Sequence, residues 1–323
     1  MTIIKYLCSL LIAFHSLSLS AKEINFIEIQ PGMFVHQGSH FDVDIGYQGD
    51  ICNVGFIIGN EAVAVIDTGG SLGVGNSILK EIKKRTNLPI RYVINTHVHL
   101  DHIYGNAAFL KESPVYVGHI ELPKAMRFRK DFYEKTNLKY LNITAKESIQ
   151  VPPTMLISIN VPQEIDLGDR ILKLDAYSIA HTNTDLVIHD IQTNTAWVGD
   201  LVFIERTPVI DGNIHGFISA LESLKKQQYK MIVPGHGTPT KNGILAINKV
   251  KTYLQTMRDE IKEAIDLELG LQESIKTLGQ SESGKWELFD VQNARNINIV
   301  YPMMEWESTI HIQFISFFEH KYY

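Results

Sequence analysis

The sequence predicts an α/β fold. Three observations carry that expectation. Short apolar runs alternate with turns and helical spacing between residues 52 and 237, and a sustained helical spacing takes over from Gly243. At 323 residues, 45% hydrophobic and 20% charged, the chain can bury a large core as one domain with an appendage.

The first twenty residues stand apart. Lys5 is their only charged side chain, an apolar run covers 6–14, and small and polar residues fill 16–21. That order is the one found in a secretory signal, with Ser18 and Ser20 placing the cut before Ala21. The apolar run is shorter than the roughly 20 residues needed to span a bilayer. Residues 1–20 are therefore expected to leave on export, with no stable membrane insertion afterwards and a periplasmic or secreted mature chain. Of the two cysteines, Cys8 would leave with the signal and Cys52 would remain, so no internal disulfide is expected. Stability then falls to the core or to bound metal.

Residues 52–58 and 62–66 are apolar runs joined by Gly59-Asn60-Glu61, the pattern of a hairpin. Residues 74–86 carry Ile78, Leu79 and Ile82 at helical spacing, and 90–94 form a strand. Further strands are expected at 171–178, 186–190, 195–198 and 230–233. From Gly243, Ile244, Ile247, Val250, Leu254, Met257, Ile261, Ile265 and Leu269 recur at helical spacing; a second helix covers 272–278, residues 281–284 form a loop, and 286–323 are mixed. The expected organisation is a signal at 1–20, a main domain at 21–242, and a helical extension at 243–323 packed on it.

A net charge of −6 without blocks of like charge weighs against nucleic acid as a partner. The chemistry concentrates in Asn95-Thr96-His97-Val98-His99-Leu100-Asp101-His102, directly after a strand. Four potential ligands fall within six residues. Alternate residues of an extended segment share a face, which groups His97 with His99; a helix starting next would turn Asp101 and His102 to a neighbouring position. Imidazoles and a carboxylate suit Zn²⁺. Without a metal, so many buried polar groups would each need another partner. No Gly-x-Ser-x-Gly nucleophile elbow is present.

The segment resembles the His-x-His-x-Asp-His signature of the metallo-β-lactamase superfamily. Asp67-Thr68-Gly69 at a strand end, Ala180-His181-Thr182, Gly199-Asp200 and Pro234-Gly235-His236-Gly237 resemble its remaining marks, in the same order. The resemblance implies a four-layer αβ/βα sandwich and two Zn²⁺ ions, with iron or manganese as alternatives. It assigns His97, His99 and His181 to one metal, Asp101, His102 and His236 to the other, and Asp200 to the bridge. This set is similar to the glyoxalase II-like branch; the best-known β-lactamase branch has a cysteine ligand, far from the sequence place of Cys52. The implied reaction is hydrolysis of an ester, thioester, amide or lactone in a small-molecule substrate by a metal-bridging hydroxide, which Asp101 would orient.

Asp67, Thr182 and Asp185 are candidates to hold ligand imidazoles. Asp211 or His215 is a candidate to meet substrate from a loop beside the site. His36, His40, His119, His189, His311 and His320 lack ligand-like spacing. The stretch from His181-Thr182-Asn183-Thr184-Asp185-Leu186 through Arg206, Pro208 and Asp211-Gly212 to His236 resembles the quinoprotein relay system zinc metallohydrolases, which implies a quinoprotein (PQQ) dehydrogenase partner. Two other functions compete: a β-lactamase, and a non-enzymatic metal-binding accessory protein.

Overall fold

Alternation along single strands stacks the layers. The computed structural model describes residues 24–44 and 46–319, with side chains as far as residue 308. The expected signal at 1–20 and His320 lie outside the described residues. The first sheet runs in chain order: β1 (Ile27–Gln30), β2 (Met33–His36), β3 (Val54–Ile58), β4 (Val63–Ile66), β5 (Ile90–Ile94), β6 (Val115–His119) and β7 (Met155–Ile157). Pairings are antiparallel up to β4 and parallel from β4 to β7. The second sheet comprises β8 (Gln163–Asp166), β9 (Ile171–Ala176), β10 (Leu186–Asp190), β11 (Thr195–Phe203) and β12 (Met231–His236). Its spatial order is β12-β11-β10-β9-β8, with only the β11–β12 pair parallel.

In β4, Ala64 and Ile66 face the second sheet, where Leu172, Leu186, Ile188 and Trp197 meet them. Val63 and Val65 face the other way, onto helix α1 (Leu72–Arg85) through Val74, Ile78 and Ile82. Strand β11 repeats the device: Trp197 enters the space between the sheets, while Ala196 and Val198 face α4 (Ile214–Gln227) and α5 (Gly243–Asp266). A two-residue period thus builds four layers, helix, sheet, sheet and helix. Ser71 caps α1, accepting from Val74 N at 3.3 Å, and Lys83, Lys84 and Arg85 complement its C-terminal dipole.

Two further helices shape the site: α2 (Leu100–Ile103), one turn long, and α3 (Leu122–Leu141), which the sequence reading did not anticipate. After α5 come α6 (Leu271–Thr277) and α7 (Phe289–Glu319). Where a mixed segment was expected over 286–323, a helix runs from Phe289. Its packing face holds Phe289, Ile297, Val300, Tyr301 and Met304, but also the buried polar residues Gln292, Asn293 and Asn296, which break the apolar pattern. Those asparagines are satisfied: Asn293 Oδ1 accepts from Tyr253 Oη at 3.1 Å, and Asn296 bonds Ile210 N and Pro208 O. Residues of α5 and α7 share one core with β11 and α4. No helix among the described residues is long and apolar enough to cross a membrane.

Candidate metal centre

The carboxyl ends of the parallel strands β4, β5, β11 and β12 open at one edge, where α/β folds place their sites. Beyond β5 the chain bends at residues 96–98, and His99, at φ −63° and ψ 148°, precedes the first turn of α2. The bend brings His97 and His99 together, with His97 Nε2 3.1 Å from His99 Nδ1. Helix α2 turns Asp101 and His102 to the adjoining position, Asp101 Oδ2 lying 3.4 Å from His102 Nε2.

The second sheet supplies the rest. His181, on the turn before β10, places Nε2 3.1 Å from His99 Nδ1. Asp200 lies at an irregular stretch of β11, preceded by Gly199 at φ +49°, where a Cβ would stand 2.8 Å from the Thr96 side chain. Its Oδ2 is 3.7 Å from His97 Nε2, 3.4 Å from His181 Nε2 and 3.3 Å from His236 Nε2, while its Oδ1 is 3.4 Å from His102 Nε2. His236 Nε2 also lies 3.5 Å from Asp101 Oδ2. All seven residues singled out in the sequence thus meet at one place. His97, His99, His181 and Asp200 form one group that could hold a cation, and His102, Asp200 and His236 another.

Each imidazole is held from its far side. Thr96 Oγ1 donates to Asp67 Oδ2 at 2.7 Å, which leaves it an acceptor for His97 Nδ1–H at 3.0 Å. His102 Nδ1 meets Asp67 Oδ2 at 2.8 Å, His181 Nδ1 meets Val209 O at 2.8 Å, and His236 Nδ1 meets Ile51 O at 2.7 Å. His99 Nε2 meets Asp211 Oδ2 at 2.8 Å. With their outer nitrogens donating, His97, His99 and His181 turn lone pairs inward, His97 Nε2 and His181 Nε2 each 3.1 Å from His99 Nδ1. Such lone pairs repel unless a cation sits between them. His102 Nε2 and Asp200 Oδ1 are buried without a hydrogen-bond partner, so the residues present fit a metal.

The electrostatics differ across the site. Burial pushes His97 well below its ordinary range and His181 down to about 4; His236 is lowered for the same reason. Burial thus biases all three toward the neutral form that a metal ligand needs. For His102 burial acts the same way but is outweighed by the carboxylates around it, Asp101, Asp67 and Asp200, which raise it above its ordinary range. Burial works to raise Asp101, yet His102 and His236 hold it well below the usual carboxylate range. Asp67 carries a positive φ of 52°, over-determined by its bonds to Thr96 N, Thr96 Oγ1 and His102. Cys52 lies beside Asp101 and His102; its Sγ donates to Asp101 O at 2.8 Å, and burial raises the thiol to about 12.

Of the other candidates, Asp67 and Asp211 touch ligand imidazoles. Thr182 and Asp185 bond each other instead, at 2.9 Å and 2.7 Å, and shape the turn carrying His181. His215 is half-exposed and faces Glu307 at 3.3 Å. Sequence reasoning missed Thr96 and Arg129, whose Nη1 lies 2.7 Å from Asp211 Oδ2. It also missed the backbone carbonyls of Ile51 and Val209, which no side-chain pattern could reveal. A cleft of about 680 Å³ opens over His99, Asp101, Asp200 and His236, walled by Arg129, Phe132 and Tyr133 of α3 and by Arg295 and Ile299 of α7.

Solved structures share this architecture. A metallo-beta-lactamase from Hirschia baltica superposes with a TM-score of 0.57 at 20% identity, covering 72% of this chain and 98% of that one. One from Pontibacter korlensis gives 0.55 at 17%, covering 72% and 99%. Among curated proteins, a linear primary-alkylsulfatase from Pseudomonas sp. is 36% identical over 62 residues, 19% of this chain. An alkyl/aryl-sulfatase from Saccharomyces cerevisiae is 31% identical over 120 residues, 37% of this chain. The chain spans 12% and 18% of those two relatives. The family model of the metallo-beta-lactamase superfamily matches residues 47–236, more than half of the chain and the whole ligand constellation. The chain therefore belongs to the metallo-beta-lactamase superfamily and is an enzyme of its hydrolase class.

Proposed function

We propose that the chain is an exported hydrolase with two divalent cations, Zn²⁺ first among them, acting on an ester, thioester, amide or lactone. One observation carries this reading: five imidazoles, each fixed from behind, converge with their inward edges on Asp101 and Asp200, where His102 Nε2 and Asp200 Oδ1 are buried without a hydrogen-bond partner. His97, His99 and His181 would hold one cation, Asp101, His102 and His236 the other, with Asp200 between them. Such a pair supplies a water acidic enough to act as hydroxide near neutral pH and polarises the scissile group. Asp101, ionised and facing the cleft, orients the attacking water rather than storing its proton. Asp211 and Arg129 keep His99 turned inward at the mouth of the cleft.

The names of the curated relatives add a sulfate ester to the substrate classes. β-Lactam hydrolysis is the competing enzyme reading; the similarity to solved β-lactamases concerns the fold. A non-enzymatic accessory role is the third. Export rests on the order of residues 1–20, and a quinoprotein partner rests on the motifs from His181 to His236.

The test is a substrate panel of acyl esters, a thioester, amides, lactones, a sulfate ester and β-lactams, run on purified protein of known metal content. Turnover of at least one non-β-lactam substrate, lost on chelation and restored by Zn²⁺, is the expected result. In Asp101→Asn, kcat and kcat/KM should fall together. A fully loaded protein inert across the panel, or turnover that survives chelation, would overturn the reading.

A further inference from the structure

Arg206 is a cation without an anion. The loop after β11 holds it in place: its N–H donates to Ile204 O at 2.8 Å, and the next residue, Thr207, donates N–H and Oγ1 to Glu287 O at 3.0 and 2.8 Å. Only 4% of the residue is exposed, and it lines the cleft beside His236 and Asp200. Its Nε is buried with no hydrogen-bond partner. Its Nη1 lies 3.1 Å from His236 Nδ1, but the proton of that nitrogen points to Ile51 O, so no acceptor is offered.

Other arginines near the cleft or in the core are paired. Arg129 has Asp211, Arg295 has Asp42, and the buried Arg170 has Asp190 across two bonds. Among the described residues no carboxylate pairs with Arg206. An unpaired buried guanidinium is costly to keep, and its planar donors match an oxyanion. It also stands on the far side of the His236 ring from Nε2. The width of one imidazole therefore separates it from the ligand cluster.

We propose that Arg206 is an anion subsite that takes a carboxylate or sulfonate borne by the substrate next to the scissile bond, distinct from the group that reacts. The substrate is then an anionic ester or amide whose charged arm lies against Arg206. Its apolar remainder lies along Phe132 and Ile299 at the mouth of the cleft. The inference rests on the hydrolase reading above.

The test compares para-nitrophenyl butyrate, which is neutral, with the mono-para-nitrophenyl esters of glutarate and of a sulfobutyrate, on zinc-loaded protein. The expected kcat/KM favours the charged esters by on the order of tenfold, the scale of one charge-assisted hydrogen bond. Arg206→Met erases that ratio, and Arg206→Lys keeps part of it. Comparing the two charged esters shows which anion the subsite prefers. If Arg206→Met lowers all three esters in proportion, the residue merely supports His236 and the proposal fails; a wild type without preference also overturns it.

If no ester is hydrolysed, the hydrolase reading fails separately, and calorimetric titration of glutarate decides the subsite. Binding weakened on the order of tenfold in Arg206→Met supports it, whereas equal binding shows an anion held by the metals alone and overturns it. Thermal unfolding and metal content, measured on both variants, separate loss of the subsite from loss of the fold, and Arg206→Lys serves as the probe if Arg206→Met does not fold.

Discussion

The two halves of the site are built on opposite principles. The half formed by His97, His99 and His181 consists of imidazoles alone, set by a threonine, an aspartate and a carbonyl behind them. The half formed by Asp101, His102 and His236 is rich in carboxylate charge, enough to outweigh burial at His102. Asp200 joins the two. The difference teaches which changes should act locally and which globally. A substitution behind one ring should weaken one half, and only residues that touch both should collapse the pair.

Asp200→Ala should therefore have the largest effect. It removes the shared carboxylate, and both metal content and turnover should fall by more than the roughly 100-fold that bounds changes behind a ligand. Elemental analysis and kcat/KM read this out; a mutant that kept two metals would break the comparison. Asp67→Ala comes next, since Asp67 holds Thr96 and through it His97, and also His102. Both halves should lose affinity, by roughly 10–100-fold. Asp211→Asn touches only the His99 side, so the loss, toward the lower end of that range, should fall on one metal of the two. Competition with a chromophoric chelator separates the two affinities.

Acid sharpens the comparison further. In metal-stripped protein, His97, His181 and His236 are held neutral by burial, His181 down to about 4, whereas the unfolded chain takes protons near 6.5. The unfolded state binds more protons in that window, so these groups lose stability as pH falls from about 6.5 toward 4. His102, raised, acts in the opposite sense but alone. The melting temperature of stripped protein should drop by several degrees across that window, and Zn²⁺ should blunt the drop. An unchanged melting temperature would contradict the burial argument. The smallest effect is structural. Asn53 Nδ2 donates to Pro234 O and Gly237 O, tying the first sheet to the loop of His236, so Asn53→Ala should cost about 1–3 kcal/mol in denaturant unfolding.

The same contrast explains what the sequence made legible. His97, His99, Asp101 and His102 lie within six residues, and that closeness is enough to group them, although the chain bends at residues 96–98 where an extended segment was expected. His181, Asp200 and His236 come from three separate elements of the other sheet, and no spacing rule unites them; only the family resemblance did. The strands at 90–94 and 186–190 were readable because each is dominated by apolar residues suited to strands, Ile90, Tyr92, Val93 and Ile94 in one and Leu186, Val187 and Ile188 in the other. Helix α3 was not: Phe128, Phe132 and Leu138 are exposed while Asn137 is buried, which blurs its periodicity. Strands β1, β2, β7 and β8 are three or four residues long and, unlike the equally short but wholly buried β4, are only partly buried, so no run of four apolar residues marks them. Cys52 looked remote from the site, yet the hairpin brings it beside Asp101 and His102, because adjacency across a sheet is invisible along a chain.

The central claim is a pair of cations shared through one carboxylate. Metal stoichiometry by mass spectrometry, on wild-type protein and on His181→Ala dialysed against metal-free buffer, tests it most directly. The expected result is two metals per chain in the wild type and one in the mutant, with the Asp101, His102 and His236 half still loaded. A single metal in the wild type, unchanged in the mutant, would contradict it.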